Sequence, residues 1–205
     1  DRLGAWDTPY DTRFGTSMKY VELVVNGEYR GLYGIFEPVD STQLEISDQE
    51  YLYKRTYGRE LLAETMDSVA PSEYLTALGM ELKGRNGQGN GEDWKCFRTF
   101  VEMCQSDDET FRAEAEKLLN MDNVADIWLY LQMMYAEDNI YKNMFFAFKK
   151  ESDGYRMYLV PWDTDLTWGN TYVDDGEQLY VQWSPEHAQD YLEWPFLDRL
   201  LKLDV

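Results

Sequence analysis

The apolar and polar positions change period along the chain, and the change divides it. In residues 18–36, MKYVELVVNGEYRGLYGIF, two runs rich in Val, Leu, Tyr and Ile flank Asn26-Gly27. That dipeptide is a strong signal for a tight turn, so the stretch predicts a β-hairpin. Gly31 in the return run predicts a bulge or a close backbone approach, and Pro38 ends that strand. The polar stretch 40–50 predicts a connector with a short helix, and YLYK at 51–54 a short strand. From Trp94 the period becomes helical: Trp94, Phe97, Val101 and Cys104 share one face. Ser106 and Glu109 make a capping-box pattern before a second helix. Val124, Ile127, Leu131 and Met134 form the stripe of a third, with Asp122 as its expected cap. MFFAFK (144–149) and YRMYLV (155–160) then predict strands joined by a turn ending in Asp-Gly. The tail is expected to be helical beyond Pro185, with a break at Pro195. The prediction is one α+β domain over 1–205, strand-rich over 1–60 and helix-rich over 61–205.

The second hairpin carries the chemistry. Each of its strands spans about six residues at ~3.3 Å each, so the chain travels ~20 Å out and ~20 Å back. Pro161–Asp165 therefore returns to the neighbourhood of Asn143 and Asp138. The carboxylate and amide oxygens of Asp138, Asn143, Asp163 and Asp165 are hard donors suited to Mg2+ or Mn2+, with Ca2+ as an alternative. Asp-x4-Asn, then a hairpin, then Asp at a strand end is the arrangement of protein kinases. There the first Asp orients the substrate hydroxyl or accepts its proton, and the Asn and later Asp hold metal on the nucleotide phosphates. The spacing alone is a weak signal, and turn hydrogen bonds by the same aspartates are the competing explanation.

Charge narrows the partners. The net charge is −20, from 39 acidic and 19 basic residues. Nucleic acid is disfavoured, because phosphate binding draws on clustered Lys and Arg; basic protein surfaces and divalent cations suit the balance better. No 18-residue apolar run predicts a membrane span, and no signal segment is visible. Cys96 and Cys104 lie eight residues apart in a predicted helix, ~12 Å between Cα atoms at ~1.5 Å per residue, which is too far for a disulfide. GRNGQGNG (84–91) has no Gly-Lys-Ser/Thr ending and reads as a plain loop, not a phosphate cradle.

In ordered blocks across most of its length the sequence resembles the CotH kinase family. The blocks are VVNGEYRGLYGIFEPVD (24–40), YLYK (51–54), MELKG (80–84), residues 107–134, EDNIYKNMFFAF (137–148) and YLVPWDTDLTWG (158–169). The resemblance implies an atypical protein-kinase-like fold that transfers phosphate from ATP to protein Ser or Thr. Asp138 would be the catalytic Asp, Asp163 the main metal ligand and Asn143 a second one. Asp165 would be either a further ligand or a structural Asp. Glu37, at the end of the second strand, would meet the nucleotide at a hinge, with a salt bridge to a neighbouring Arg or Lys as the competing reading. The family's upstream portion, expected to cover the ATP phosphates, lies outside this sequence, so the N-terminal lobe is expected to be incomplete. Lys54 is then a substitute phosphate contact, with a surface Lys at a strand end as the competing reading. Trp162 and Trp168 are expected to pack the loop against the core. The resemblance also implies a protein substrate, of basic character given the charge, and a cell-surface or secreted setting. The alternatives are a non-catalytic coat or surface assembly module with a structural metal, and a metal-dependent nuclease or phosphatase, which the acidic surface disfavours.

Overall fold

The computed structural model describes residues 18–57, 63–84, 91–172, 178–180 and 195–203. In chain order come the strands β1 (Met18–Val25), β2 (Glu28–Phe36) and β3 (Tyr51–Arg55). Two short helices follow, α1 (Ala63–Ser68) and α2 (Tyr74–Leu78), then β4 (Met80–Leu82). The long helices are α3 (Lys95–Gln105), α4 (Asp108–Leu118) and α5 (Met121–Met134), followed by the single-turn α6 (Asp138–Tyr141). The remaining elements are β5 (Met144–Glu151), β6 (Gly154–Pro161), β7 (Asn170–Tyr172), β8 (Gln178–Tyr180) and α7 (Pro195–Lys202). The fold is α+β.

The organising sheet has four strands in the order β4-β3-β5-β6, all antiparallel. Its centre is β5, whose first five residues, Met144 to Phe148, are all buried. An uninterrupted apolar run is what a strand covered on both faces requires. Because side chains alternate across a strand, Phe146 and Phe148 face one side and Phe145 and Ala147 the other. The first side meets the main core, where Phe97, Phe100, Phe111, Leu131 and Phe196 bring in helices α3, α4, α5 and α7. The second side is covered by Val39, Leu44 and the partly buried Trp162.

The first hairpin forms as its sequence predicts. Asn26 and Gly27 both take left-handed φ, 53° and 83°, as a two-residue turn of this kind demands. The register slips between Leu23 and Val24, opposite Gly31 at φ 109°, so the expected bulge is present. The hairpin is a separate two-stranded sheet, and most of its apolar side chains, among them Tyr20, Leu32 and Ile35, are exposed. Phe36 is its link to the rest of the fold, with its ring 5.6 Å from that of Trp162.

Three local expectations need correction. Residues 41–45 form turns instead of a short helix. The Asp40 carboxylate accepts the N–H groups of Thr42 and Gln43, and Glu45 at φ 52° stops propagation. The cap of α4 is Asp107, which accepts from Thr110 N–H, while Ser106 closes α3. The cap of α5 is Asn120, accepting from Asn123 N–H, and Asp122 lies inside the first turn. In both helices the Asx side chain nearest the true boundary prevails. Pro195 opens α7 at its first position, where the missing N–H costs nothing. The predicted helix before it and the loop at 85–90 lie outside the described residues. Both cysteines are free, and burial pushes their thiols up, to about 11 for Cys96 and about 12 for Cys104.

One buried carboxylate ties the 44–50 segment to the sheet. Glu50 accepts from Ser47 N–H, Lys150 N–H and the Lys149 ammonium, the last at 3.0 Å. Burial alone would raise its pKa, but these donors outweigh it and hold the group below its ordinary value. A carboxyl depressed in the folded state stabilises above the unfolded value and ceases to do so as pH falls through the folded one. Glu50→Gln is therefore expected to cost about 1–3 kcal/mol at neutral pH. In urea melts, the gap to wild type should narrow progressively as pH falls below the ordinary carboxyl range. A gap that persists unchanged at pH 3 would contradict this account.

Candidate functional site

The site is assembled where α5 ends and β5 begins. Tyr135 takes a left-handed conformation, φ 55°, and closes α5 with its N–H on the Leu131 carbonyl. The chain then makes the single turn α6, whose first residue is Asp138. Asn143 follows, again left-handed at φ 56°, with its N–H on the Arg55 carbonyl of β3. The buried Arg55 returns the contact through Nη1 to the Ile140 carbonyl, 2.9 Å. The Asp-x4-Asn loop is thus fixed against β3 at Ile140 and at Asn143.

Within that loop Asn143 Nδ2 donates to Asp138 Oδ2 at 2.7 Å. Lys142 Nζ lies 3.3 Å from the same oxygen. The Asp138 side chain is only 16% exposed, so it is held, yet open to solvent on one side. Both its contacts fall on Oδ2, and Oδ1 has no hydrogen bond among the described residues.

The hairpin brings the second group of aspartates back. Met144 pairs with Pro161, and Trp162 N–H donates to the Asn143 carbonyl at 2.8 Å. Asp163 is the next residue, left-handed at φ 56° and exposed. The hairpin therefore returns Pro161 and Trp162 to Asn143, through the main chain. Downstream, Asn170 Nδ2 donates to the Asp165 carbonyl, Thr167 Oγ1 to the Thr164 carbonyl, and Trp168 N–H to Met134 at 2.7 Å. Asn143, Asp163 and Trp168 are all non-glycine residues at positive φ, a conformation that costs energy and gathers at working sites. Beside this loop, burial pushes the Tyr130 phenol of α5 up to about 12, with Thr164 acting in the opposite sense.

The other sequence candidates are placed as follows. Asp165 is exposed on the same loop. Glu37 is exposed one residue beyond Phe36, and so borders the Trp162 end of the site. Lys54 lies with its ammonium 5.6 Å from the centre of the Phe145 ring, one residue before Arg55. Trp162 packs as expected, but Trp168 does not: it is 60% exposed. Its left-handed backbone and the tie to Met134 turn the indole outward. Among the described residues no three His, Cys, Asp or Glu side chains gather as a metal cluster.

Sequence reasoning missed Lys142, Arg55 and Asn139. Lys142 had a signal, a cation four residues after Asp138 and adjacent to the candidate ligand Asn143. Arg55 and Asn139 had none, because their partners are main-chain carbonyls delivered by other elements.

A family model described as CotH kinase protein matches residues 13–205, nearly the whole chain. The chain belongs to that family. A search of curated proteins finds no match.

Proposed function

We propose that this chain carries the catalytic and metal-binding residues of an ATP-dependent phosphotransferase with an atypical kinase-like fold, acting on Ser or Thr hydroxyls of a protein. The observation that carries this reading is the pairing of Asp138 with Asn143 at 2.7 Å, with Asp163 one residue beyond the Trp162–Asn143 main-chain bond. The donors are hard oxygens, as Mg2+ or Mn2+ prefers. Asn143 spends Nδ2 on Asp138, so its amide oxygen and the Asp163 carboxylate would be the groups to hold the cation. Asp165 is the further ligand or the loop's structural Asp.

The sparse donor set supports Mg2+ or Mn2+ over a structural Ca2+ site. Mg2+ is commonly held by one or two carboxylates plus substrate phosphates, whereas a Ca2+ cage needs six to eight oxygens. When bound, the ion would offset the charge of the transferring phosphoryl group. Asp138 presents Oδ1 to the incoming hydroxyl, orients it and accepts its proton, while Oδ2 stays on Asn143. The Lys142 ammonium lies 3.3 Å from Asp138 Oδ2, where it would restrain that carboxylate. Lys54 and Glu37 remain candidates for nucleotide contacts. Glu37, Glu137, Asp163 and Asp165 make the surroundings acidic, which favours a basic protein substrate. We propose a cell-surface or secreted setting for this chain.

The test uses the complete gene product with radiolabelled ATP, Mn2+ or Mg2+, and a generic basic protein. Asp163→Ala is expected to abolish metal-dependent ATP binding in calorimetry. Unchanged binding by that variant, or no transfer by wild type with either metal, would refute the reading.

A further inference from the structure

We infer that Asn139 is the positioning residue of this site: its carboxamide clamps the two loops that carry the metal-binding and catalytic groups. Asn139 is fully buried. Its Nδ2 donates to two carbonyls at once, that of Asn143 at 2.9 Å and that of Trp162 at 2.8 Å. Those carbonyls belong to a candidate ligand and to the residue before Asp163. The same amide group follows Asp138 directly in α6, so three functional positions converge on one side chain.

The chemistry fixes which way the amide points. Two carbonyl oxygens demand two N–H donors, and a neutral amide NH2 provides two from one atom. The flipped amide would set oxygen against oxygen. The correctly placed amide leaves Oδ1 buried with no partner among the described residues. A buried unpaired acceptor is unfavourable. The fold retains it because no other side chain of this size gives two donors without a charge. Lys or Arg would bring a cation beside the metal, and Ser or Thr offers one donor only.

The clamp adds something that the strand pairing does not. Trp162 N–H already binds the Asn143 carbonyl at the end of the β5–β6 ladder, but that bond does not reach the Trp162 carbonyl, from which the chain turns into Asp163. The second link, through Asn139, closes a three-point junction and sets the orientation of Asn143 relative to Asp163. Ligand loops held loosely by even a small amount lose much of their binding function.

This inference rests on the metal-dependent phosphotransferase reading, and the experiment separates the two. MnATP is titrated calorimetrically into the complete gene product: wild type, Asn139→Ala, Asn139→Ser and, as a control destabilised away from the site, Phe146→Ala, at a temperature where circular dichroism finds each of them folded. Asn139→Ala removes both donors, so MnATP should bind at least about tenfold more weakly than to wild type, roughly the loss of one or two good hydrogen bonds. Asn139→Ser keeps one donor, should fall between the two, and serves if the alanine variant fails to fold. A role in stability alone would weaken binding to Phe146→Ala as much; that variant should bind as wild type does. If wild type does not bind MnATP, the phosphotransferase reading falls and this inference with it. If wild type binds and the folded Asn139 variants bind equally well, or Phe146→Ala loses as much affinity as they do, the inference alone is overturned.

Discussion

Asp138→Ala is expected to lower phosphate transfer by about two to four orders of magnitude, the usual contribution of a positioned general base. MnATP binding should be nearly unchanged. The separation follows from the geometry. Asp138 meets Asn143 through its side-chain amide, whereas Asn143 is held independently through its own N–H on Arg55 and its carbonyl on Trp162 and Asn139. Removing the carboxylate therefore takes away the group proposed to meet the hydroxyl, not the frame that holds the proposed metal ligands. One complication is the Asn143 Nδ2 donor, which loses its partner in the alanine variant. Asp138→Asn answers it, because the amide oxygen still accepts that bond but has no basic lone pair to take a proton. Both variants should lose transfer, and the asparagine variant should match wild type in binding. Rates are read from incorporation of labelled phosphate and binding from calorimetry. Transfer at the wild-type rate by either variant in the complete protein would show that the role assigned to Asp138 is wrong.

The second large effect is on stability. Phe146→Ala is expected to cost about 3–5 kcal/mol, as truncation of a fully buried Phe does. Phe146 is 0% exposed, lies across from Tyr53 and Leu159 in the sheet, and meets the rings of Phe97 and Phe100 at 5.9 and 5.6 Å. Its neighbours belong to β3, β6 and α3, so no single element can relax into the cavity. The loss is a large fraction of the ~5–15 kcal/mol that stabilises a typical domain. At ~2–4 °C per kcal/mol for a chain of this size, the melting midpoint should fall by roughly 10 °C. The urea midpoint should fall with an unchanged slope if the native state keeps its compactness. A loss under about 1 kcal/mol would mean that this side chain is not the keystone its packing implies.

Most of this architecture was legible where a local pattern has one physical solution. Asn26-Gly27 between apolar runs admits little besides a tight hairpin, and Gly31 could mark only a bulge or a close approach. The apolar run at 144–148 and its partner at 155–160 gave the second hairpin, and with it the meeting of Asn143 with the segment before Asp163. Helix starts were legible only to within a few residues. Ser106, Asp107 and Asp108 stand in a row, as Asn120, Asp122 and Asn123 do within four residues. Each can cap, and the choice is settled by packing beyond the sequence window. For α5 that packing is visible: Asn120 N–H binds the Met157 carbonyl, and the Asn123 amide exchanges two hydrogen bonds with Leu159, which docks the helix start on the edge of β6.

The site was legible in its acids and not in its supports. Asp138, Asn143 and Asp163 stand out because their side chains carry charge or metal-binding oxygens at a recognisable spacing. Asn139 and Arg55 act through main-chain carbonyls, and a carbonyl leaves no mark in a sequence. Trp168 shows the reverse failure. A Trp beside a loop suggests packing, but a left-handed backbone at that residue sends the ring out to solvent.

The tie between Trp168 N–H and the Met134 carbonyl has a mechanical consequence. Residues 162–168 are stapled at both ends, to the start of β5 and to the last turn of α5. Swinging the segment outward would uncap that helix and break the junction at Asn143 in the same motion. On the proposed reading an arriving cation would meet a loop whose main-chain ordering entropy was spent during folding, and the segment behaves as part of the chassis, unlike a lid.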